Sequence, residues 1–380
     1  TPMKKQTKKV YFDSQSTTLL INVFQDAGYE LTQSLQEADV VWTLSQQLNF
    51  YKKLKKTQLS SQFPRVQLFD RKNDLFTILT DFNVDFIPET YVLYRDAAKL
   101  NETMSTLCKC PIADSPTQDP CPVCGLPQKT FIYKPGCTSR GNGIQLVRQL
   151  PETVDPWVVQ LLVEPLLFDS RKFDLRVYCL VYQEKIFKFG EVLARFCNLQ
   201  YKGEPLAEQQ LTNTFLNKNW VDFRSMWVGS ELGIPQTGIC KGNLFNHELL
   251  QLKKEFVEKE TEKEEIENES SVSNNEKLQI KVEKQDINLQ ISQIVVQTVN
   301  AVYPSIKKAQ QQVDHSNQFC LLGFDILINK YGKCKLLEVN ASPSVEPHSE
   351  VDRKIKTKLL TDLVQVISGA GGFRWIGDCQ

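Results

Sequence analysis

The sequence predicts a mixed α/β (α+β) protein, and three observations carry that expectation. Residues 10 to 80 alternate short apolar runs with helical periodicity, the pattern of a small α/β unit. Strand-length runs dominate between residues 131 and 199. From residue 287 onward the pattern becomes helix, hairpin and helix.

In chain order, residues 17–27 are expected to be helical, 40–44 a strand and 74–81 a second helix. Residues 86–93 connect into a strand, and 108–128 interrupt the pattern. Strands follow at 131–134, 144–147, 158–163, 173–181 and 186–196. Residues 252–285, rich in Lys, Glu, Asn and Ser, suit a solvated helix and a disordered spacer. Residues 287–302 carry an apolar stripe at Ile291, Ile294, Val295 and Val299, the spacing of one helix face. Residues 323–328 and 334–340 form a hairpin about the turn 329–333, and a helix at 352–367 closes the fold. The expected division is an N-terminal lobe at 1–82 and a central lobe at 83–165 with a Cys-rich insertion at 104–128. A C-terminal lobe at 166–380, with a charged insertion at 253–286, completes it.

At 380 residues, 41% apolar and 24% charged, the composition is that of an ordinary globular protein of two or three domains. Lys+Arg and Asp+Glu both number 45, so no global field recruits nucleic acid or membrane, and neither is an expected partner. An acidic partner must meet local patches, for which Lys52, Lys53, Lys55 and Lys56 are candidates. No run approaches the roughly 20 apolar residues of a membrane span, and the opening TPMKKQTKKV lacks a secretory apolar region. Eleven cysteines, mostly in apolar segments, suit reduced thiols in an intracellular protein.

The chemistry concentrates in the hairpin. With its turn centred on Tyr331 and Gly332, Asp325 falls across from Glu338, and Asn340 shares Glu338's face. Opposed like charges destabilise a sheet. Oxygen donors at that spacing suit Mg²⁺, which shares its remaining positions with phosphates and water. The alternative is a surface hairpin neutralised by Lys330, Lys333 or Lys335.

Elsewhere, 131–144 (FIYKPGCTSRGNGI) is strand, Gly-rich loop and strand, able to offer backbone N–H groups to a phosphate or to serve as a plain turn. It is no Walker A loop. Lys172, Asp174 and Arg176 line one face of a strand, opposite Phe173, Leu175 and Val177. A nucleotide or cross-strand ion pairs would partner that row. The strand around Gln160 could bond an adenine edge through its backbone, or be plain core. Arg195, in an apolar run, is an anion ligand or half of an ion pair. His247, His315 and His348 lie in polar sequence and are expected to be solvated, which leaves no Ser/His/Asp arrangement and argues against a nucleophilic hydrolase.

Taken in order, RKNDL (71–75), FIPETYVL (86–93), KPGCTSRGNGI (134–144), VVQ (158–160), RKFDLRVYCLV (171–181), LARF (193–196), LTN (211–213), GFDILI (323–328) and LLEVNASPS (336–344) resemble the tubulin–tyrosine ligase-like family of ATP-grasp amino-acid ligases. The likeness is greater to its polyglutamylase and glycylase members than to tyrosine ligase. The resemblance implies three α/β lobes, with ATP between the central and C-terminal ones. Lys134 would meet phosphate beneath a flap at Arg140 and Gly141, with Lys72 reaching in from the N-terminal lobe. Gln160, Leu161, Leu162 and Val163 would form the adenine hinge, and Lys172, Asp174, Thr212 and Asn213 would hold the nucleotide.

Asp325, Glu338 and Asn340 would hold Mg²⁺, normally two ions. Arg176 would lie near the γ-phosphate, and Arg195, with Thr214 and Lys356, would meet the amino-acid substrate. Lys134, Arg176 and Arg195 would be the catalytic set. The implied reaction is ATP-dependent addition of glutamate or glycine, rather than tyrosine, to a tubulin or microtubule tail through an acyl phosphate. The implied partners are that tail, the free amino acid and an accessory subunit, and the implied location is the cytoplasm and cytoskeleton, at a cilium or basal body.

Three residues in two places depart from the family pattern. Gln210 stands where His is common, and Thr214-Phe215 stand where glutamate-adding members carry Tyr-Ser. A non-catalytic microtubule-binding protein and a ligase for a small-molecule acid are the competing readings. Outside the resemblance, Cys108, Cys110, Cys121 and Cys124 include a CPVCG knuckle that would suit a closed structural Zn²⁺ site, the alternative being four unrelated thiols.

Overall fold

The computed structural model describes residues 7–13, 16–44, 47–108, 124, 126–127, 129–136, 143–147, 157–168, 170–197, 199–201, 223–227, 287–347 and 350–380. Its strands form three sheets. The first comprises β1 (Lys9–Phe12), β2 (Glu30–Leu31), β3 (Val40–Trp42) and β4 (Leu59–Ser60), all parallel, in the order β2-β1-β3-β4. Parallel neighbours need a crossover, which α1 (Thr18–Asp26) supplies between β1 and β2. Thr17 starts that helix by accepting from the Leu20 N–H at 3.2 Å, a cap that contributes about 1 kcal/mol. Leu20, Val23 and Phe24 are its buried stripe. Short helices α2 (Leu48–Tyr51) and α3 (Gln67–Asp70) lead to α4 (Lys72–Asp81).

The second sheet is antiparallel: β5 (Thr90–Val92), β6 (Phe131–Pro135), β7 (Gln145–Val147) and β8 (Trp157–Leu161), in the order β5-β8-β6-β7. Helix α5 (Leu93–Ser105) packs Leu100 and Met104 against its Tyr91, Phe131 and Val159.

The third sheet holds β9 (Leu167–Phe168), β10 (Arg171–Tyr182), β11 (Lys185–Phe196), β12 (Phe223–Trp227), β13 (Phe319–Ile328), β14 (Cys334–Asn340) and β15 (Arg374–Asp378). Its main path is β12-β11-β10-β13-β14, with β9 on β10 and β15 on β11. One face of this sheet is largely apolar, with Lys188 of β11 buried on it opposite Cys179. Phe173, Leu175, Val177 and Cys179 of β10 and Cys320, Leu322, Phe324 and Ile326 of β13 pack there with α6 (Ile287–Val313). The opposite face is divided. Tyr178, Leu180, Phe319 and Leu321 join a second core with α7 (Glu350–Ile367) and the first sheet, whereas Lys172, Asp174, Arg176 and Asp325 occupy the other end. Among the described residues no helix is long and apolar enough to cross a membrane.

Three expectations are corrected. Helix α6 runs on to Val313, past the expected end at 302, because Pro304 is exposed while Ile306, Ala309 and Val313 beyond it stay buried. The C-terminal helix does not close the fold, since β15 follows it and pairs with β11. His315 is not solvated: it is 2% exposed, with its ring beside Tyr51 and Nε2 3.5 Å from Ser60 Oγ.

Candidate active site

Sheet register sets a row of charges across four strands. Arg195 on β11 lies opposite Asp174 on β10, Arg176 on β10 opposite Asp325 on β13, and Asp325 opposite Glu338 on β14. Arg195 grips Asp174 with both ends of its guanidinium, at 2.7 and 2.6 Å, and reaches Asp325 at 2.9 Å. Arg176 holds the other side of Asp325 at 2.6 and 3.2 Å. Burial would raise the Asp325 pKa, but the two guanidiniums outweigh it and hold the carboxyl well below the usual range. Burial likewise opposes the charge of Arg195, and Asp174 and Asp325 overcome it. Gly323 makes room for the arrangement, since a Cβ there would lie 2.9 Å from Pro343 Cβ and 3.0 Å from Arg176 Nη1.

The expected Asp325–Glu338 opposition is present, reached through a β-bulge. Ile326, Leu327 and Ile328 pair with Leu336, Lys335 and Cys334, and the register then shifts. Leu337 is the extra residue, so two residues of β14 oppose one of β13. Leu336 and Val339, three apart, can therefore both face the core, while Glu338 and Asn340 share the other face. Of the hairpin's lysines, Lys330 pairs with Glu164 and Lys335 donates to the Asp85 carbonyl, so these two are engaged elsewhere.

Residues from the other two sheets' neighbourhoods border this row. Lys72, the first residue of α4, is buried with its Nζ 3.3 Å from Glu338, and its backbone N–H donates to Gly136 O at 3.1 Å. Lys134, on β6, donates to Gln160 Oε1 at 2.6 Å and to Leu337 O at 3.3 Å. Burial lowers its pKa to about 8; Glu338 opposes the shift, and Lys72 and Lys172 add to it. Lys172 is also buried and shifted down by burial, with Asp174 acting in the other direction. Lys356 on α7 donates to Asp352 at 2.8 Å and to the Glu346 carbonyl at 2.6 Å. Burial lowers its pKa against the pull of Asp352, and Arg176 lies near enough to add to the lowering.

Of the expected hinge, Gln160 is buried, and the N–H groups of Leu161 and Leu162 donate to Glu89 O and Thr130 O at 2.9 and 2.8 Å. Val163 is half-buried. Arg140, Gly141, Thr212, Asn213, Thr214, Cys110, Cys121, His247 and His348 lie outside the described residues; Cys108 is buried and Cys124 exposed. Among the described residues no three His, Cys, Asp or Glu side chains converge as a metal-binding group. Of the candidate lysines for an acidic partner, Lys56 pairs with Asp314 and Lys55 donates to Gln36 O, while Lys52 and Lys53 are exposed. Sequence reasoning assigned no role to Gly323, Thr90 or the Leu337 carbonyl. A glycine inside an apolar strand was the one available signal, since it marks close approach by another group.

The profile of the tubulin-tyrosine ligase family matches residues 35–226 and 243–371, most of the chain. The chain belongs to that family. Among curated members, tubulin polyglutamylase ttll6 of Danio rerio is 28% identical over 257 residues, covering 63% of this chain and 28% of that protein. Tubulin glycylase 3D of Tetrahymena thermophila is 28% identical over 255 residues, 63% of this chain and 21% of that protein. Tubulin polyglutamylase ttll-5 of Caenorhabditis elegans is 27% identical over 330 residues, 81% of this chain and 40% of that protein. The chain thus spans less than half the length of each of these family members.

Proposed function

We propose that the chain is an ATP- and Mg²⁺-dependent ligase with an ATP-grasp fold, adding glutamate or glycine to a tubulin tail. One observation carries this reading. Among the described residues, Lys72, Lys134, Lys172, Arg176 and Arg195 gather at one largely buried row with the carboxylates of Asp174, Asp325 and Glu338. Five cationic side chains converging on one place suit a polyphosphate. The names of the relatives support tubulin as the acceptor and glutamate or glycine as the donor.

The residues present fit Mg²⁺. Glu338 keeps about a third of its side chain exposed, and Asn340 spends an amide N–H on Gly323 O, at 3.5 Å, which leaves its carbonyl oxygen as a donor to a cation. Asp325 takes three arginine bonds and also lies within hydrogen-bonding reach of the Glu338 carboxylate, a close pair of acids that a cation would relieve. Asp325, Glu338 and Asn340 would hold Mg²⁺, which would supply positive charge to offset the negative charge of the phosphates.

The chain's own residues do the rest by position and charge. Lys134 and Lys72 bind phosphate oxygens, with Arg140 and Gly141 as the flap. Lys172, Asp174, Thr212 and Asn213 hold the nucleotide against the Gln160–Val163 hinge. Arg176 stabilises the phosphoryl group in transfer, while Arg195, with Thr214 and Lys356, binds the substrate carboxylate. A substrate carboxylate oxygen attacks the γ-phosphorus and ADP leaves. The amino group of the second substrate then attacks the acyl phosphate, phosphate departs and an amide bond remains. No side-chain nucleophile is required.

The proposal extends to a cytoskeletal location, at a cilium or basal body, and to a Zn²⁺ held by Cys108, Cys110, Cys121 and Cys124, which metal analysis of the purified chain checks. The deciding assay is phosphate release from ATP with tubulin and, in turn, glutamate, glycine and tyrosine. Mg²⁺-dependent release with glutamate or glycine is expected. Release with tyrosine alone overturns the donor assignment, and ATP binding without turnover on any donor overturns catalysis in favour of a binding protein.

A further inference from the structure

The side chain of Gln160 belongs to a hydrogen-bond chain with a single polarity. An ammonium group only donates, so the 2.6 Å contact of Lys134 Nζ falls on Gln160 Oε1. That turns the amide nitrogen the other way, where Nε2 donates to Thr90 Oγ1 at 2.9 Å. With its oxygen accepting, Thr90 sends its own hydrogen to Pro88 O at 2.6 Å. Reversing any one link would set two donors, or two acceptors, against each other. The register builds the chain into the sheet: Thr90 stands opposite Gln160, and Gln160 opposite Ile132, two residues before Lys134. Gln160 is 1% exposed, so no water competes for its amide.

We propose that Thr90 and Gln160 are positioning residues for Lys134: Thr90 fixes the orientation of the Gln160 amide, and Gln160 Oε1 aims the Lys134 ammonium group. Resting as it does on the ligase reading, this assigns the Gln160 side chain to the phosphate end of the nucleotide rather than to its base. The second acceptor on Lys134, the Leu337 carbonyl, comes from the hairpin that carries Glu338. The ammonium group is thereby held between the second sheet and the carboxylate hairpin, and a misaligned Gln160 would let it swing away from both.

The two roles for Gln160 separate when the base is varied. Thr90→Val retains the shape of Thr90 and removes its hydroxyl, while Thr90→Ser retains the hydroxyl. Steady-state kinetics with ATP and with GTP, and equilibrium binding of each nucleotide without amino acid or acceptor, should show kcat/KM and affinity reduced about tenfold in Thr90→Val. The ATP-to-GTP ratio should stay unchanged, and Thr90→Ser should recover most of the loss. A changed ratio, a Val variant equal to wild type, or a Ser variant as impaired as Val overturns the assignment. If Thr90→Val does not fold, Gln160→Glu serves instead: it can accept from Lys134 but cannot donate to Thr90, and it should lose affinity for ATP and GTP alike. A shifted ratio or an unchanged affinity there also overturns the assignment. A wild-type chain that binds neither nucleotide overturns the ligase reading itself.

Discussion

Glu338→Gln preserves side-chain volume and removes one charge, which allows metal chemistry to be separated from folding. In the structure Glu338 pairs with Lys72 at 3.3 Å and faces Asp325, and its side chain is 30% exposed. Partly exposed pairs contribute about 0.2–1 kcal/mol, and the Gln oxygen can still accept from Lys72. The melting temperature should therefore fall by about 2 °C or less, judged from the scaling of melting shifts with chain size. Asp325→Asn offers the contrast. Its carboxylate takes three bonds from Arg176 and Arg195 in a buried setting, and breaking a buried pair on one side costs about 3–5 kcal/mol. Activity should divide differently. Altering even a residue behind a metal ligand typically costs 10–100-fold, so loss of a ligand carboxylate should cost more than about 100-fold in Mg²⁺-dependent turnover. Thermal denaturation followed by circular dichroism, alongside phosphate release across a Mg²⁺ titration, reads both quantities. A Gln variant within about threefold of wild type at every Mg²⁺ concentration would refute the metal role. One that melts as low as Asp325→Asn would refute the packing.

With burial holding Lys134 near a pKa of about 8, its positive charge is lost as pH rises through that value, so kcat/KM for the nucleotide should decline there. Lys134→Arg keeps the charge and should abolish the decline; an unchanged descending limb would count against Lys134 as the titrating group. Burial lowers the His315 pKa below 6.5, so the folded state binds fewer protons than the unfolded chain as pH falls. The associated stability is complete above pH 6.5 and is lost as pH drops through the lower folded value. His315→Phe should flatten the fall in melting temperature over that range, and parallel curves for the two proteins would sink the idea. Pro304→Ala, at an exposed site inside α6, restores a backbone N–H donor and should stabilise by about 1–3 kcal/mol. A denaturation midpoint that fails to rise would contradict this.

What could be read from the sequence follows from the range of the forces involved. The Lys172–Asp174–Arg176 face was legible because alternation along β10 is a local property, and so was the apolar stripe of α6. Pairing between strands is not local. Nothing near Arg195 announces Asp174 as its partner, and nothing near Gln160 announces Lys134 or Thr90, because each pair meets only when the sheets assemble. A hairpin without a bulge predicts the Asp325–Glu338 pairing, but its pairings nearer the turn differ from those observed by one residue. The polar neighbours Asp314, Ser316 and Asn317 predict a solvated His315, yet the segment docks on Tyr51 and Ser60. The sequence pattern ends α6 at 302 because the continuing stripe at Ile306, Ala309 and Val313 lies beyond a proline.

The hairpin is one residue longer than its pleat requires. Removing Leu337 on paper leaves Cys334, Leu336 and Val339 on the core side and Lys335, Glu338 and Asn340 on the other, a regular ladder with every face preserved. Its half-buried side chain is therefore dispensable to the alternation. What the spare residue supplies is its carbonyl, 3.3 Å from Lys134. A chain deleted at that position should still close its sheet and keep its carboxylates in register, yet meet Lys134 with one acceptor fewer. At position 337 it is the length of β14, rather than the identity of the side chain, that reaches Lys134.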